Sequence, residues 1–433
     1  MNLKTRLGLS LLVVSSAIPI LGGARADAVE PTKESWAQWG GPNRDHKGLS
    51  TGLKQEWPED GPKLLWSMKE AGMGFSSLAV ANGKCYSLGS KDGKNYAYCL
   101  DAKNGHSIWQ VAIGNSASDS AYNTGWGSGP RSTPTLVGDR LIVLDDMGNC
   151  CCLTQVDGSL VWKVNLIEDL GGSMPKWGFS ESPLVDGNRV VLCPGGAGFL
   201  QALDLDTGKV VLKSSGFEES PHYVSVLKHS VDGLDVYTTA CGKGLVGFAV
   251  DDGRMLWNNG YTGAGTATIP TPIVQGNQVY HTAGYGTGSV LVGLSRDGKD
   301  VKAEQIWANK NQGNHHGGVV LVDGATYGFK SRGGWVSQDF KTGELNFEER
   351  VKDESGGSVT YADGRLYVYG EVTGNCYLVE PSTTSWNVKG KLSLPEKTTL
   401  SRGRGLIWAH PVVAEGKLFL RDLDIIHVFD IKK

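Results

Sequence analysis

The sequence has few charged residues and no excess of positive charge. Asp, Glu, Lys and Arg make up only 20% of its 433 residues, and 45 acidic residues against 42 basic ones give a net charge of −3. A protein that binds nucleic acid or an anionic membrane through its charge carries a basic patch or a strongly basic balance. The composition therefore argues against a nucleic-acid partner and against electrostatic binding to a membrane surface.

Several sequence motifs with a chemical meaning are missing. The chain has no C-x-x-C pair and no Cys/His cluster with zinc spacing, so we expect no structural metal site of that type. A C-x-x-C-H haem attachment motif is also missing. A hydrolase with a G-x-S-x-G nucleophile elbow is disfavoured, because that motif does not occur either.

Long apolar runs are confined to the amino terminus. Lys4 and Arg6 precede an apolar run over residues 7–21, and Ala24-Arg25-Ala26 follows it, which is typical of a cleavable signal peptide. The run is shorter than the roughly 20 residues of a membrane span, although a retained anchor is the alternative. We expect a signal peptide over residues 1–26, cleavage after Ala26, and a periplasmic or secreted chain without a membrane span.

Export makes disulfide bonds possible, and two of the eight cysteines are placed for one. Cys85 and Cys99 lie symmetrically about a turn at residues 90–93, as two residues facing each other across a hairpin would. The sequence leaves two interpretations open, a cross-strand disulfide between Cys85 and Cys99 or two buried thiols.

What the sequence has in abundance is glycine and an internal repeat. It contains 61 Gly residues, roughly twice the usual share of about 7%, which indicates many tight turns. Units of about 40 to 55 residues recur, each with four apolar strands separated by Gly-containing turns and most of them ending in a large apolar residue. The closing residues are Trp109, Trp162, Leu212, Trp257, Trp307, Phe347 and Trp386.

The repeat closes on itself. The last unit stops after three strands, whereas residues 62–66 near the start form a closing strand that lacks a unit. Together they complete an eighth unit, which favours an all-β, eight-bladed β-propeller with four-stranded antiparallel blades, the last closed by the N-terminal strand. Seven blades or an open array of sandwiches are the alternatives. We predict a lead-in segment over residues 27–61 and the propeller over residues 62–433.

The repeat resembles that of the PQQ-like, quinoprotein-type β-propellers. The pattern LDxxTGxxxW is followed at residues 100–109 and 203–212 and more loosely elsewhere, and the resemblance covers roughly residues 60–433. The stretches at residues 36–45 and 125–134 are similar to exported propellers of this group that are labelled as outer-membrane-assembly-like or alcohol-dehydrogenase-like. Such labels rest on the fold, which does not determine function.

A ligand site is expected where the innermost strands begin, because these positions surround one mouth of the central channel. The aromatic and polar residues there are those expected of a pocket, and Phe75 and Thr268 occupy the same register. Arg131 and Glu181 come from consecutive blades, and they either pair across the mouth or bind a ligand. Of His315 and His316, one should face the channel and the other should pack. The candidate ligand-binding residues are Trp126, Arg131, Trp177, Glu181, His222, Tyr223, His315, His316, Trp408 and His410.

Two functions remain open. The first is a monomeric binding scaffold of the cell envelope without catalysis, with no cofactor expected and with an envelope protein or a small or polymeric ligand as partner. The second is implied by the resemblance: an alcohol dehydrogenase with PQQ in the funnel, Ca²⁺ on oxygen ligands and an Asp base. In the resembling enzymes a vicinal disulfide often covers the quinone. Cys150, Cys151 and Cys152 would supply it, unless they are buried in a strand.

Overall fold

A computed structural model describes residues 32–433, which consist mainly of β-strands and turns. The predicted signal peptide over residues 1–26 and the cleavage after Ala26 lie outside the described residues. One short 3₁₀ helix, Thr124–Trp126, occurs within this part of the chain. No helix among residues 32–433 is long and apolar enough to cross a membrane.

Residues 32–433 form eight antiparallel sheets of four strands each, which confirms the predicted eight-bladed propeller. Blades 1 to 4 contain β2 (Ala79–Ala81), β3 (Lys84–Lys91), β4 (Lys94–Asp101), β5 (Ser107–Asn115), β6 (Thr135–Val137), β7 (Arg140–Leu144), β8 (Asn149–Thr154), β9 (Leu160–Asn165), β10 (Leu184–Asp186), β11 (Arg189–Leu192), β12 (Gln201–Asp204), β13 (Val210–Lys213), β14 (Leu227–Val231), β15 (Leu234–Cys241), β16 (Gly244–Ala249) and β17 (Met255–Asn259). Blades 5 to 7 contain β18 (Ile273–Gln275), β19 (Gln278–Ala283), β20 (Gly288–Asp297), β21 (Asp300–Asn309), β22 (Val320–Val322), β23 (Ala325–Phe329), β24 (Trp335–Asp339), β25 (Leu345–Glu349), β26 (Gly357–Ala362), β27 (Arg365–Gly370), β28 (Asn375–Glu380) and β29 (Asn387–Ser393). Blade 8 contains β1 (Lys63–Met68), β30 (Val412–Ala414), β31 (Lys417–Asp422) and β32 (Ile425–Asp430).

Each blade runs from the central channel outwards. The first strands of neighbouring blades contact one another, as β6 and β10 do, which places them next to the axis. The fourth strands, such as β9 and β13, are mostly exposed and bury mainly their closing residue, Trp162 or Leu212, because they lie at the outer edge of the blade. Residues immediately before the first strands therefore surround one mouth of the channel, as the repeat predicted.

The N-terminal strand closes the ring. β1 pairs antiparallel with β32, so blade 8 has the order β1, β32, β31, β30, and the prediction of a composite blade is confirmed. Arg421 fastens this blade to blade 1: its buried guanidinium donates to Ser76 O at 2.9 Å, to Ser87 Oγ at 2.8 Å and to Leu88 O at 2.6 Å. A buried cation surrounded by acceptors of the next blade orients both blades.

The closing Trp of one blade packs on the turn of the next. Trp66 Nε1 donates to Ala102 O at 3.2 Å, and Trp162 Nε1 donates to Leu205 O at 2.7 Å. A Cβ added to Gly208 would lie 2.8 Å from the Trp162 ring, and Gly208 has a φ of +69°. The repeated Trp of one blade therefore packs against the repeated turn glycine of the next blade.

The lead-in crosses the channel and bonds to the inner parts of several blades. We call residues 36–48 the channel segment. Trp36 pairs with Val80 of blade 1, Ala37 O accepts from Leu136 N of blade 2, and Tyr361 N of blade 7 donates to His46 O. Arg44 is buried and donates to Ser182 O at 2.8 Å and to Pro183 O at 3.1 Å beside blade 3. The channel is thus obstructed on one side by a segment that the sequence presented only as a lead-in.

The sequence left open a cross-strand disulfide or two buried thiols for Cys85 and Cys99, and the structure has two thiols. Both thiols are free and buried, and the strand register pairs Cys85 with Leu100 and Tyr86 with Cys99. The register differs by one residue from the symmetric one, so the two sulfur atoms lie on opposite faces of blade 1. The buried-thiol interpretation describes both residues.

The cysteine triplet is also part of the core. Cys150, Cys151 and Cys152 lie in β8, the third strand of blade 2, and all three are free and buried. Cys150 and Cys152 face blade 3 together with Trp162, whereas Cys151 faces blade 1. The vicinal disulfide expected for a quinoprotein enzyme is therefore not formed, because neighbouring side chains of a strand point to opposite faces.

Candidate functional site

A funnel of about 690 Å³ opens on the face where the innermost strands begin. Its volume lies in the range of small-molecule sites in proteins. Trp39 of the channel segment lines it, so the funnel is blind. Eight of the ten predicted site residues line it: Trp126, Arg131, Trp177, Tyr223, His315, His316, Trp408 and His410. Phe75 lines it as well.

Glu181 and His222 are not among the lining residues. Glu181 is 2% exposed, and its Oε1 accepts from Cys193 N at 2.7 Å. Burial raises its pKa to about 7, against the opposing effect of Arg44. His222 Nδ1 accepts from Thr268 N at 3.1 Å, and the Thr268 hydroxyl donates to Cys241 O. Glu181, His222 and Thr268 therefore lie behind the funnel wall and stabilise it through these hydrogen bonds.

The pairing of Arg131 with Glu181 that the sequence allowed does not occur. Arg131 instead donates to Gly127 O at 2.8 Å and to Gly129 O at 3.0 Å. Its guanidinium lies over the Phe75 ring, 5.4 Å from the centroid, and 5.5 Å from the centroid of Tyr122. Arg131 therefore keeps its positive charge uncompensated by a carboxylate at the wall of the funnel.

Two more arginines face the funnel, and sequence reasoning missed both. Arg404 lies over the ring of Trp126 at 6.0 Å, and Arg332 lies in the turn between β23 and β24. Within residues 32–433, none of the three arginines forms an ion pair with a carboxylate. Glu371 is the carboxylate that lines the funnel, and burial raises its pKa.

The turns between second and third strands supply further residues that the sequence reasoning did not consider. Tyr285 and Arg332 occupy corresponding turns of blades 5 and 6, with φ of +57° and +58°. Such backbone is uncommon for large side chains and is concentrated at functional sites. In the sequence, Tyr285 and Arg332 each precede a glycine, which indicates a tight turn. Such a turn brings the bulky side chain to the rim of the funnel.

His315, His316 and His410 lie together on one wall, and we call them the histidine column. His315 Nε2 and the Tyr285 hydroxyl are hydrogen-bonded at 2.7 Å, and the rings of His315 and His316 lie 3.6 Å apart. His316 stacks on Trp408 at 4.2 Å. The sequence predicted that one of the two histidines faces the channel and the other packs, whereas both line the funnel, because they precede β22 in a loop rather than in a strand.

Burial keeps this column neutral at neutral pH. It lowers the pKa of His315 to about 4, with a further decrease from the nearby Arg332. It also lowers the pKa of His410 to about 4, and His410 Nε2 donates to His316 O at 3.1 Å. The unpaired positive charge of the funnel therefore comes from its arginines, and the imidazoles contribute flat, neutral surface.

The comparisons with known proteins agree with this architecture. The family whose pattern matches residues 93–346 is described as outer membrane protein assembly factor BamB, and the match spans more than half of the chain. The chain belongs to this family of PQQ-like propellers. No curated protein sequence is significantly similar to this BamB-family chain.

Solved structures of similar fold include two natural proteins and one design. BamB from Moraxella catarrhalis is 14% identical, with 85% of this chain and 97% of that chain covered and a TM-score of 0.60. Quinohemoprotein alcohol dehydrogenase from Comamonas testosteroni is 12% identical, with 92% and 81% covered and a TM-score of 0.61. The computationally designed Ika8 protein is 12% identical, with 85% and 100% covered and a TM-score of 0.56. At these identities the likeness shows the fold alone.

The second function would need oxygen ligands for calcium in this BamB-family funnel, and Glu371 and Asn314 are the carboxylate and the carboxamide at its described wall. Asn314 is the asparagine at the wall, and both ends of its amide are used, by Phe329 O and by Gly318 N. Among residues 32–433, no group of three or more His, Cys, Asp or Glu side chains is arranged to hold a metal ion. The cysteine triplet lies in blade 2, away from the funnel.

Proposed function

We propose that this BamB-family chain is an exported binding protein of the cell envelope that takes up its ligand in the funnel without catalysis. The observation that carries this proposal is the blind funnel itself, with aromatic walls and three arginines without carboxylate partners. The outer-membrane description of the matching family supports an envelope location. The N-terminal pattern of a signal peptide, which gives the periplasmic or secreted location, supports it as well.

The funnel provides two kinds of binding energy. Trp126, 40% exposed, offers an open indole face, and Trp177 and Trp408 line the walls. Covering aromatic surface contributes about 25 cal/mol for each Å² removed from water. Arg131, Arg332 and Arg404 favour a negatively charged group, since each lacks a carboxylate partner within residues 32–433.

The polar groups of the lower wall serve the scaffold. His410 donates to the His316 carbonyl, and Asn314 bridges Phe329 and Gly318. Trp39 Nε1 donates to Thr271 Oγ1 at 2.9 Å, which fixes the floor. A preformed pocket whose polar groups are already held in place binds with little loss of conformational entropy.

The proposal is tested with anilinonaphthalene sulfonate, an aromatic anion whose fluorescence rises in apolar sites. Purified exported chain should bind it saturably, and Trp126→Ala and Arg332→Ala should each raise its Kd about tenfold. The matched controls are Leu345→Ala, an exposed apolar residue of β25, and Arg296→Ala, an arginine of the outer hairpin of blade 5. Binding that does not saturate, or that is insensitive to the funnel variants, contradicts a binding role of the funnel.

A second arm tests the dehydrogenase function. The same chain is incubated with PQQ, Ca²⁺ and simple alcohols, and reduction of a redox dye is measured. We expect no alcohol-dependent dye reduction. Turnover that depends on PQQ, and that is lost in Trp177→Ala or Arg131→Ala, would replace the binding function by a catalytic one.

A further inference from the structure

The mouth of the funnel has four large exposed apolar side chains, two that line the cavity and two that lie outside it. Tyr285 is 50% exposed, Val372 45%, Trp126 40% and Leu400 40%. They come from four separate places: the connection into blade 2, the second-to-third strand turns of blades 5 and 7, and the connection into blade 8. Large exposed apolar residues outside this ring lie mainly on the outermost strands, such as β9 and β13. The ring marks an interaction surface.

The charge of this surface is opposite to that of the whole chain. The chain carries a net charge of −3, whereas Arg131, Arg332 and Arg404 all reach the funnel. A positive mouth on an acidic protein attracts negatively charged partners and turns them towards the opening. Trp, Tyr and Arg are also the residue types that contribute most to protein–protein interfaces.

We propose that the mouth docks an acidic segment of a partner protein. The inference rests on the proposed binding function and names its partner. A ligand confined to the cavity would leave Val372 and Leu400 in water, since neither lines it. A peptide that fills the funnel and extends over the rim covers both. Because Trp39 closes the floor, the segment enters as a loop tip or a chain end.

The structure assigns a role to each part of the mouth. Arg332 and Arg404 donate hydrogen bonds to the carboxylates of Asp or Glu in the segment, since guanidinium groups bind carboxylates through two parallel hydrogen bonds. Trp126 and Tyr285 cover its apolar side chains. The histidine column, neutral at pH 7, forms the flat inner wall against which the tip packs.

The test uses a random peptide library displayed on phage, selected on the immobilised exported chain. We expect enriched peptides in which Asp or Glu stands beside aromatic or aliphatic residues. A synthetic copy of one should bind less tightly as salt rises. Its Kd should rise about tenfold in Arg332→Ala and in Arg404→Ala, and also when its own acids are replaced by Asn and Gln. The Arg296→Ala control, on the outer hairpin of blade 5, should leave the Kd unchanged.

The outcomes separate this inference from the function on which it rests. If no peptide is enriched, or if the enriched peptides lack acids or ignore the arginine variants, the acidic segment is rejected. In that case, saturable binding of anilinonaphthalene sulfonate that depends on Arg332 still supports the funnel as a site for a small anion. Loss of that binding as well rejects both. Because Arg332 and Arg404 lie at the rim, circular dichroism of their variants checks that the fold is retained.

Discussion

At the scale of single residues, burial decides what each polar side chain does. His281 shows this clearly: it is 1% exposed, its Nε2 donates to Pro270 O at 2.9 Å, and its Nδ1 therefore accepts from the Thr262 hydroxyl at 2.7 Å. Burial lowers its pKa from 6.5 to about 4. The residue is a neutral link in the core of blade 5, and a count of histidines would not distinguish it from those of the funnel.

The pH dependence of stability follows from this depressed pKa. Between pH 6.5 and about 4 the unfolded chain binds a proton at residue 281 that the folded chain does not, so the folded state loses stability as the pH falls. His281→Gln should reduce the slope of unfolding free energy against pH in this window by at most about 1.4 kcal/mol per pH unit. Urea unfolding at several pH values measures the slope.

The control for this prediction is His106→Gln, the same substitution at an exposed position before β5. Burial raises the pKa values of Glu181 and Asp145 to about 7 and about 6, so these two carboxyl groups make the folded state more stable as the pH falls. They do so equally in the wild-type chain and in the variants. Their effect cancels in the comparison. An unchanged slope in His281→Gln would show that this imidazole takes up its proton over the same pH range in the folded and the unfolded chain.

At the scale of the element, the recurring unit is the contact between a closing residue and the following turn. Trp162 of blade 2 packs on Gly208 of blade 3, and Trp66 of blade 8 packs on Gly105 of blade 1. Leu212 takes the place of Trp in blade 3 and is 8% exposed, so a smaller apolar side chain fills this position there. The sequence repeat is thus regular because the closing residue of each blade packs on the turn of the next blade.

Two turn glycines allow the cost of backbone strain to be measured separately from the cost of packing in this contact. Gly208 has a φ of +69° and lies against the Trp162 ring, whereas Gly187 has a φ of +57° with open space around it. Gly187→Ala should cost about 1–2 kcal/mol of unfolding free energy from its backbone alone. Gly208→Ala should cost about 1–3 kcal/mol more because of overpacking. Urea unfolding of both variants tests this, and equal losses would show that the Trp–Gly contact adds nothing.

At the scale of the whole molecule, two N-terminal segments join the blades into a closed ring. β1 completes blade 8 at the outer edge, and the channel segment joins blades 1, 2, 3, 5 and 7 at the axis. Arg44 is central to the second closure, since burial lowers its pKa to about 10 and two carbonyls beside blade 3 accept its hydrogen bonds. The same closure makes the funnel blind.

Removing the Arg44 side chain should loosen the channel segment. Arg44→Ala leaves the Ser182 carbonyl without its donor, which costs about 1–3 kcal/mol, whereas the Pro183 carbonyl still accepts from the Thr135 hydroxyl. We expect faster amide exchange at Trp36 and Gly48, whose N–H groups donate to Val80 O and Tyr361 O. Exchange of the outer amides of β20 is the internal reference. Unaltered exchange at Trp36 and Gly48 would show that this segment is held without Arg44.

The sequence by itself determined the propeller, its eight blades and most of the funnel wall. Strand periodicity and turn residues are local signals, and a repeat copies them eight times, so Trp126, Trp177 and Trp408 could be placed by register. Only the tertiary structure decided the rest. Whether Cys85 and Cys99 face each other depends on a difference of one residue in the strand register. The burial of Glu181 depends on the packing of the neighbouring blade. The channel segment was beyond prediction, because the contacts that position it join residues far apart in the chain. The rim residues Tyr285 and Arg332 left only a weak local signal in the sequence, the glycine that follows each of them.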